Sequence, residues 1–593
     1  MVNRTIYIFS IPDDGYNLHV ISCLLAIYPL LKFSNHRRFS LISSVLLLLW
    51  FGLGLGIRFL NLDLKPPSSI EIATIGYSLG HGFNQIALDR SQDLDTLLAS
   101  LCLDTSIGYS EVFNRLVEES THPPLYFWLT RWWAGIWLED GDLVSLQVAR
   151  SLSAVLGSLA IPGIFALSWL AVRSCWVAHL AAVLMAFSPY GVYLSQEARH
   201  YTLTVLWVIA SLICLVTVVK AIAQQKSVPI WLSLVWIVVN GLGIATHYFF
   251  VLALGAEAIA ILFFWLYNRR RQTIRYVRGL TLAGIGTLAT ALVWIPVVRG
   301  ISSNEMTDWI ATSYDLSNVL LPLPRLLTWM ITMLMLLPVE GVSKPLAILS
   351  GVVVLTVLIW VLPILIRQWR KAIANSPTRL AMIVLVGYLI GSLILFLVLI
   401  YGMGRDISLA ARYHFVYFPV LILTVSIALA NHFKPSAYPF SLAHNRVIVV
   451  MLTMALLGSL TIVNNLGFQK SLRSDALADY IRQMAIEPTL VAMTHQTHSE
   501  IRELVALALS FERTNTVKTR EFNPQFLLVS DRQSGREQFS IQIRAKQLDR
   551  PLNLVGIDLN LDKELLAELK CIRNKNRDLP DSGYSDRFYF CQP

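Results

Sequence analysis

The chain has 593 residues, of which 55% are hydrophobic and only 15% charged, and its formal net charge is +10. Its mean hydropathy is +0.58, whereas a soluble protein carries roughly a quarter charged residues, so a water-soluble globular enzyme is excluded. The basic excess lies in short loops between apolar runs, which assigns it to a membrane surface rather than to nucleic acid.

In chain order, residues 1–40 form an N-terminal segment containing an apolar run at 17–33 that is marginal in length for a span. That run has no small-residue cleavage site and does not read as a signal peptide. Lys32, His36, Arg37 and Arg38 follow, then a span over 41–60. The positive-inside rule places the 34–40 loop in the cytoplasm and the next loop on the outer face. Further spans are predicted at 146–172, 176–194, 202–223, 230–247, 249–267, 280–298, 346–366, 380–401, 413–432 and 447–466, giving eleven, or twelve with 17–33. This orientation puts Arg269, Arg270, Arg271, Arg275 and Arg278, and then Arg367, Arg370, Lys371 and Arg379, on the cytoplasmic side. Residues 122–138 read as a helix in the outer interface, because Trp128, Trp132, Trp133 and Trp137 favour that depth. Residues 318–338 are apolar, but counting them as a span would invert the Arg367 cluster.

The expected class is therefore mainly α: a polytopic helical membrane domain over 41–466 with an outer loop at 61–145, then a small α/β domain over 467–593. The tail turns polar, with helical periodicity at 477–484 and 501–509 and short strand-like runs at 489–493, 526–529 and 552–557. An odd number of spans puts it outside, where Cys571 and Cys591 either bridge or remain buried thiols. Cys23, Cys102, Cys175 and Cys214 show no metal-ligand spacing. His495 and His498 lack an evident third ligand. Glu257, mid-span, is either functional or a neutral hydrogen-bonded group.

Chemistry concentrates where polar residues interrupt the apolar pattern. The outer loop holds Asp63, Lys65, Glu71, Asp89, Asp93, Glu118, Glu119 and His122. A second cluster, Gln196-Glu197-Ala198-Arg199-His200-Tyr201, follows Ser188-Pro189 at the outer end of a span. His247-Tyr248, and Arg405-Asp406 through Arg412-Tyr413, also lie at outer span ends. Such groups must face water, a cavity or each other. Arg199 offers a planar fork for phosphate, with Glu197 to orient it; the alternative is a Glu–Arg pair that only staples two helices.

Arg58…Asp63, Glu71-x-x-Thr74, Thr121-His122-Pro123-Pro124-Leu125-Tyr126, Ala149-Arg150-Ser151, Gln196-Glu197-Ala198-Arg199-x-Tyr201 and Arg412-Tyr413 together resemble the GT-C superfamily of membrane glycosyltransferases, on the protein O-mannosyltransferase and aminoarabinose transferase branch, over about residues 41–466. The resemblance implies transfer of a sugar from a polyprenyl-phosphate donor to a hydroxyl of a lipid, glycan or protein acceptor, at the periplasmic face of a bacterial inner membrane. It implies Glu71 or Asp63 as proton acceptor. Arg199, Arg58, Arg150, Arg412, Lys65 and His122 would hold the donor phosphate, with Gln196, Glu197, Tyr201, His247 and Tyr413 in support. No cofactor is expected; a divalent metal has no support in the sequence. One departure stands out: where the family usually has an Asp-Glu pair, this chain has Ile70-Glu71. A member that binds or transports polyprenyl lipid or polysaccharide without transfer is the alternative reading.

Overall fold

The computed structural model describes residues 36–267, 274–297, 309–311, 318–432, 442–484, 488–517, 522–531, 537, 539–543, 551–559, 561–574 and 582–592. The apolar run at 17–33, Cys23 and the cluster Arg269–Arg271 lie outside these residues.

The elements, in order, are α1 (His36–Phe59), α2 (Ser69–Leu79), α3 (Tyr109–Glu119), α4 (Leu125–Trp137), α5 (Leu146–Val172), α6 (Cys175–Ala186), α7 (Pro189–Ser195), α8 (Tyr201–Ala223), α9 (Ile230–Thr246), α10 (Phe250–Tyr267), α11 (Ile274–Leu292), α12 (Pro322–Thr332), α13 (Lys344–Ala374), α14 (Ser376–Leu397), α15 (Phe418–His432), α16 (Leu442–Val463), α17 (Ser474–Met484), β1 (Thr489–His495), α18 (His498–Val517), β2 (Gln525–Ser530), β3 (Leu552–Ile557), α19 (Lys563–Glu568), β4 (Cys571–Arg573) and β5 (Asp586–Cys591).

Seven of the described helices are long and apolar enough to cross a bilayer, or eight if one bent pair is a single span, against eleven expected apolar segments. The other four expected spans are apolar helices too, but differ in a physical way. The predicted 176–194 span is the pair α6 and α7, bent by 54°. Proline cannot donate to the preceding turn and suits the first position of a helix. Pro189 accordingly opens α7, with the Ser188 hydroxyl capping the Gly191 amide. The α9 helix, the Val277–Leu292 part of α11 and α15 are each shorter than 18 residues. In α15 every residue from Phe418 to Leu429 is buried, so this helix packs inside the bundle instead of facing lipid. The α12 helix, inside the apolar 318–338 stretch, has 11 residues. At 1.5 Å per residue it is too short to span, as expected.

Helices α5, α6, α8 and α15 form the centre of the bundle, and α6 is buried on all sides from Trp176 to Ala186. Where α5 passes α7 and α8, Gly157 permits the approach: a Cβ there would meet Ser195 Oγ at 2.0 Å and Thr202 Cγ2 at 3.2 Å. That close crossing brings the starts of α5 and α8 together.

The 61–145 loop does not lie on the bundle alone. Ile72, Ile75, Leu116 and Phe127 from the loop share one core with Leu504, Phe511, Phe526 and Phe588 from the tail. The tail sheet runs β2-β1-β3-β5-β4, with β1 parallel to both neighbours and β3–β5–β4 antiparallel. Parallel strands buried on both faces need a continuous apolar run, which Leu490-Val491-Ala492-Met493 supplies. Residues of the loop extend the sheet at its β2 edge. The Asp89 amide donates to Leu528 O (2.7 Å), Gln92 pairs antiparallel with Phe526, and the Asp89 carboxylate takes the Ser530 amide and hydroxyl. Cys571 and Cys591 form a disulfide between the adjacent strands β4 and β5.

Candidate functional site

The starts of α5 and α8, the 61–71 loop, the turn at His122 before α4 and the strap joining α16 to the tail meet at one end of the bundle. Part of each polar cluster legible in the sequence falls here: Lys65, Glu71 and His122; Gln196 to Tyr201; His247; and Arg412 with Tyr413. The opposite end carries Arg173, Arg278, Arg367, Arg370, Lys371 and Arg379. A groove of about 700 Å³, lined by Leu362, Pro363, Ile366, Arg367, Arg370, Lys371 and Ala374, opens at that opposite end and is separate from the polar centre.

Arg150, on the first turns of α5, has no exposure and spends every donor it has. Its Nε and Nη2 hold Glu71 Oε1 and Oε2 at 2.8 and 2.9 Å, and its Nη1 binds Leu62 O and Lys65 O. Nη2 also reaches Pro66 O at 3.1 Å. A guanidinium has five N–H groups, so none remains for a phosphate. Glu71 is equally committed, accepting also from the Ala198 amide (3.0 Å) and Ser68 Oγ (3.1 Å). Burial alone would raise its carboxyl, but Arg150, then Lys470, outweigh that and hold it below the usual range. The pair ties the 62–71 loop to α5 and to the turn before α8.

Arg58 ends α1 in the same way. Its Nε donates to Ser195 Oγ, Nη1 to Gly54 O and Ala186 O, and Nη2 to Met185 O. It thereby satisfies carbonyls at the end of α6 that a bent span leaves open. Arg58, Arg150 and Glu71 thus differ from the sequence expectation, in which the two arginines hold phosphate and the glutamate accepts a proton. Asp63 is exposed on the loop surface, and its carbonyl accepts from Arg513 on α18.

Arg199 is arranged differently. Nη1 donates to Thr74 Oγ1 (2.8 Å) and Ile70 O (3.2 Å), and Nη2 to His122 Nε2 (2.9 Å). His122 Nδ1 then carries its proton toward Ser120 Oγ at 3.1 Å. Burial and Arg199 keep that imidazole well below its ordinary range, hence neutral. Arg199 Nε, although buried, has no partner.

Neighbouring groups are also incomplete. Lys65 is 1% exposed; its Nζ has no hydrogen-bond partner and lies 5.7 Å from the Tyr193 ring. Burial, with repulsion from Lys470, pushes it down to about 7. Glu197, 1% exposed, pairs through Oε1 with Lys470, while its Oε2 has no partner. Lys470 also sits 3.9 Å from Glu71 Oε2. Gln196 anchors Nε2 on Leu60 O (2.8 Å) and leaves Oε1 unpartnered; neither ring nitrogen of His200 has a partner. Arg412 lies 4.9 Å over Trp309 and 5.3 Å over Tyr413. His247 fixes Nδ1 on the Phe249 amide and stacks near His200, with centroids 4.5 Å apart, and near Tyr201 at 5.7 Å.

Comparison with known proteins finds no family model and no curated protein that matches. Solved structures do match. ArnT from Cupriavidus metallidurans bound to undecaprenyl phosphate is similar at 11% identity, with 92% of this chain and 97% of that chain covered and a TM-score of 0.48. An archaeal oligosaccharyltransferase from Archaeoglobus fulgidus, tethered to an acceptor peptide, is similar at 11% identity over 79% of this chain and 63% of that chain, with a TM-score of 0.45. These are what the chain is similar to in fold.

Sequence reasoning finds Arg199, Lys65, Glu197, His122, Gln196 and Tyr201, and the structure gathers them in one centre. It misses Lys470, which is 273 residues from Glu197 along the chain. It also misses Ser153, whose hydroxyl donates to Arg199 O at 3.0 Å. A lysine in a polar stretch after a last apolar helix carries no local mark of a partner. His495 and His498 lie in the tail with rings 6.4 Å apart, and no group of three or more metal-ligating side chains is found among the described residues.

Proposed function

We propose that this protein is a membrane glycosyltransferase that moves a sugar from a polyprenyl-phosphate donor to an acceptor hydroxyl at the outer face. The observation that carries this reading is the charge balance of the centre. Once Arg150 and Glu71 have paired off, Lys65, Lys470 and Arg412 face Glu197, Arg199 lies two residues on, and Lys65 Nζ and Arg199 Nε have no partner. Buried positive charge in excess calls for an anion, and a site at the end of a helical bundle suits one attached to a lipid. The phosphate is the leaving group in such a transfer, so its growing charge is stabilised by the same cations. In this reading Arg199 and Lys65 are the donor-phosphate ligands, aided by Arg412. His122 orients Arg199, while Arg58 and Arg150 build the frame.

The reading is tested by release of polyprenyl phosphate from a panel of polyprenyl-phosphate hexoses and pentoses by the detergent-solubilised full chain. Binding of polyprenyl phosphate without turnover of any donor would favour the non-catalytic alternative, which the full commitment of Glu71 speaks for.

The orientation in this reading is supported by the basic end of the bundle, which the positive-inside rule assigns to the cytoplasm, and by the disulfide in the tail, which suits an oxidising compartment. Single cysteines at exposed positions of the 61–120 loop and the tail should be labelled by an impermeant maleimide on intact cells, and those at 367–379 should not. The reverse pattern would overturn the orientation. Lys65 also predicts a pH effect. Its ammonium is half lost near 7, and a bound phosphate restores it. Polyprenyl phosphate binding above about pH 7 is therefore expected to take up protons, seen as a buffer-dependent binding enthalpy that Lys65→Met abolishes.

A further inference from the structure

We infer that Glu197 is the group that takes the acceptor proton, poised by Lys470 from the strap between the last membrane helix and the tail domain. This rests on the glycosyl-transfer reading above and adds the identity of its base.

A general base must present an oxygen lone pair that no other donor already holds. The two carboxylates of the centre differ on this point. Both Glu71 oxygens are filled by Arg150, Ala198 and Ser68. Glu197 uses Oε1 for Lys470 and keeps Oε2 unpartnered while 1% exposed. A buried carboxylate oxygen without a donor costs free energy unless something arrives to bind it. An acceptor hydroxyl is such a donor. The other carboxylates of the outer loop are elsewhere: Asp63 is exposed, Asp89 is spent on Ser530, and Glu119 receives the Phe83 amide at 2.8 Å.

The placement of Lys470 is a consequence of the strap. Asn465 and Phe468 adopt left-handed backbone (φ 55° and 53°), which turns the chain back over the centre. Phe468 then packs on Tyr193, with ring centroids 4.8 Å apart, and Lys470 reaches past it to Glu197. The ammonium holds Oε1 in an ion pair and so fixes the plane of the carboxylate, with Oε2 turned away from it. Lys65, Arg412, Tyr190 and Tyr193 also face this carboxylate, with the Tyr193 side chain approaching it.

In the step assigned, the acceptor O–H passes its proton to Glu197 Oε2 as its oxygen forms the new bond to the anomeric carbon. The bond from that carbon to the phosphate oxygen breaks, and the electron pair leaves with polyprenyl phosphate beside Arg199 and Lys65. Glu197 then returns the proton to solvent.

The test uses the full chain and water as acceptor, so that donor hydrolysis reports the base without knowledge of the natural acceptor. Glu197→Gln keeps the shape and removes the basicity. Donor turnover should fall about 10²–10⁴-fold, while binding of polyprenyl phosphate persists. Lys470→Met should move the acid limb of the pH–rate profile to higher pH, since loss of the ammonium disfavours the ionised carboxylate; turnover is then regained on the alkaline side. A purely structural Lys470 would lower the rate at every pH alike. Wild-type turnover in Glu197→Gln, or an unmoved acid limb in Lys470→Met, overturns the assignment while leaving the transferase reading intact. A wild-type chain that neither binds polyprenyl phosphate nor turns over any donor removes both.

Discussion

Arg150→Met is expected to cost this protein about 3–5 kcal/mol of stability, the largest effect of any single change near the centre. The methionine fills much of the space but withdraws all five donors, leaving Glu71 with only the more distant Lys470 as counter-charge and three carbonyls of the 62–66 loop open. A buried charge that loses its partner is far costlier than a pair replaced as a unit. The double variant Arg150→Met/Glu71→Leu should therefore recover much of the loss. Thermal unfolding in detergent reads both. A melting temperature in Arg150→Met equal to that of the parent would show that the loop is held by other contacts. Glu71→Gln belongs to the same experiment: it should lower stability and activity together, the signature of a frame residue.

Arg199→Lys should give the complementary result, a loss of transfer of about 10²–10³-fold at nearly unchanged melting temperature. The charge is kept, but one nitrogen cannot bind Thr74, Ile70 and His122 while also offering a donor to the centre. The neutral His122 accepts from Arg199 and so fixes the plane of the guanidinium, leaving Nε and the second Nη2 hydrogen as the donors free for phosphate oxygens. The deficit should appear in polyprenyl phosphate affinity as well as in turnover, because the lysine no longer presents two hydrogens in a fixed geometry. Near-parental turnover in this variant would reduce Arg199 to a staple between α2 and α8.

Much of the architecture is legible in the residue order because membrane helices are dictated locally. Each run of about 20 apolar residues must satisfy its own backbone within the bilayer, so composition alone places the helices. Motif position likewise predicts one polar end, since Gln196, Glu197, Arg199, His247 and Arg412 all fall beside helix termini. The break at Ser188-Pro189 has a local cause as well, although hydropathy alone reads 176–194 as continuous. What hydropathy does not distinguish is a helix that faces lipid from one enclosed by other helices, and α15 is as apolar as a span for the second reason.

The roles within the centre belong to a different level. A sequence fixes which residues carry charge: Glu71, Glu197, Arg58, Arg150, Arg199, Lys65 and Lys470 are all plain in it. Whether each charge is spent or available depends on hydrogen bonds to carbonyls and carboxylates tens to hundreds of residues away. Arg58 and Arg150 are consumed by backbone oxygens of α6 and of the 62–66 loop, and Glu71 by Arg150. Lys470 reaches Glu197 only because the loop and tail share one core and the strap between α16 and α17 turns back across the centre. Residue order determined the membrane class, the helices and the inventory of ionisable groups. Tertiary structure alone decided which of those groups hold the frame and which remain for a ligand, because pairing between charges is a matter of three-dimensional proximity that no local pattern encodes.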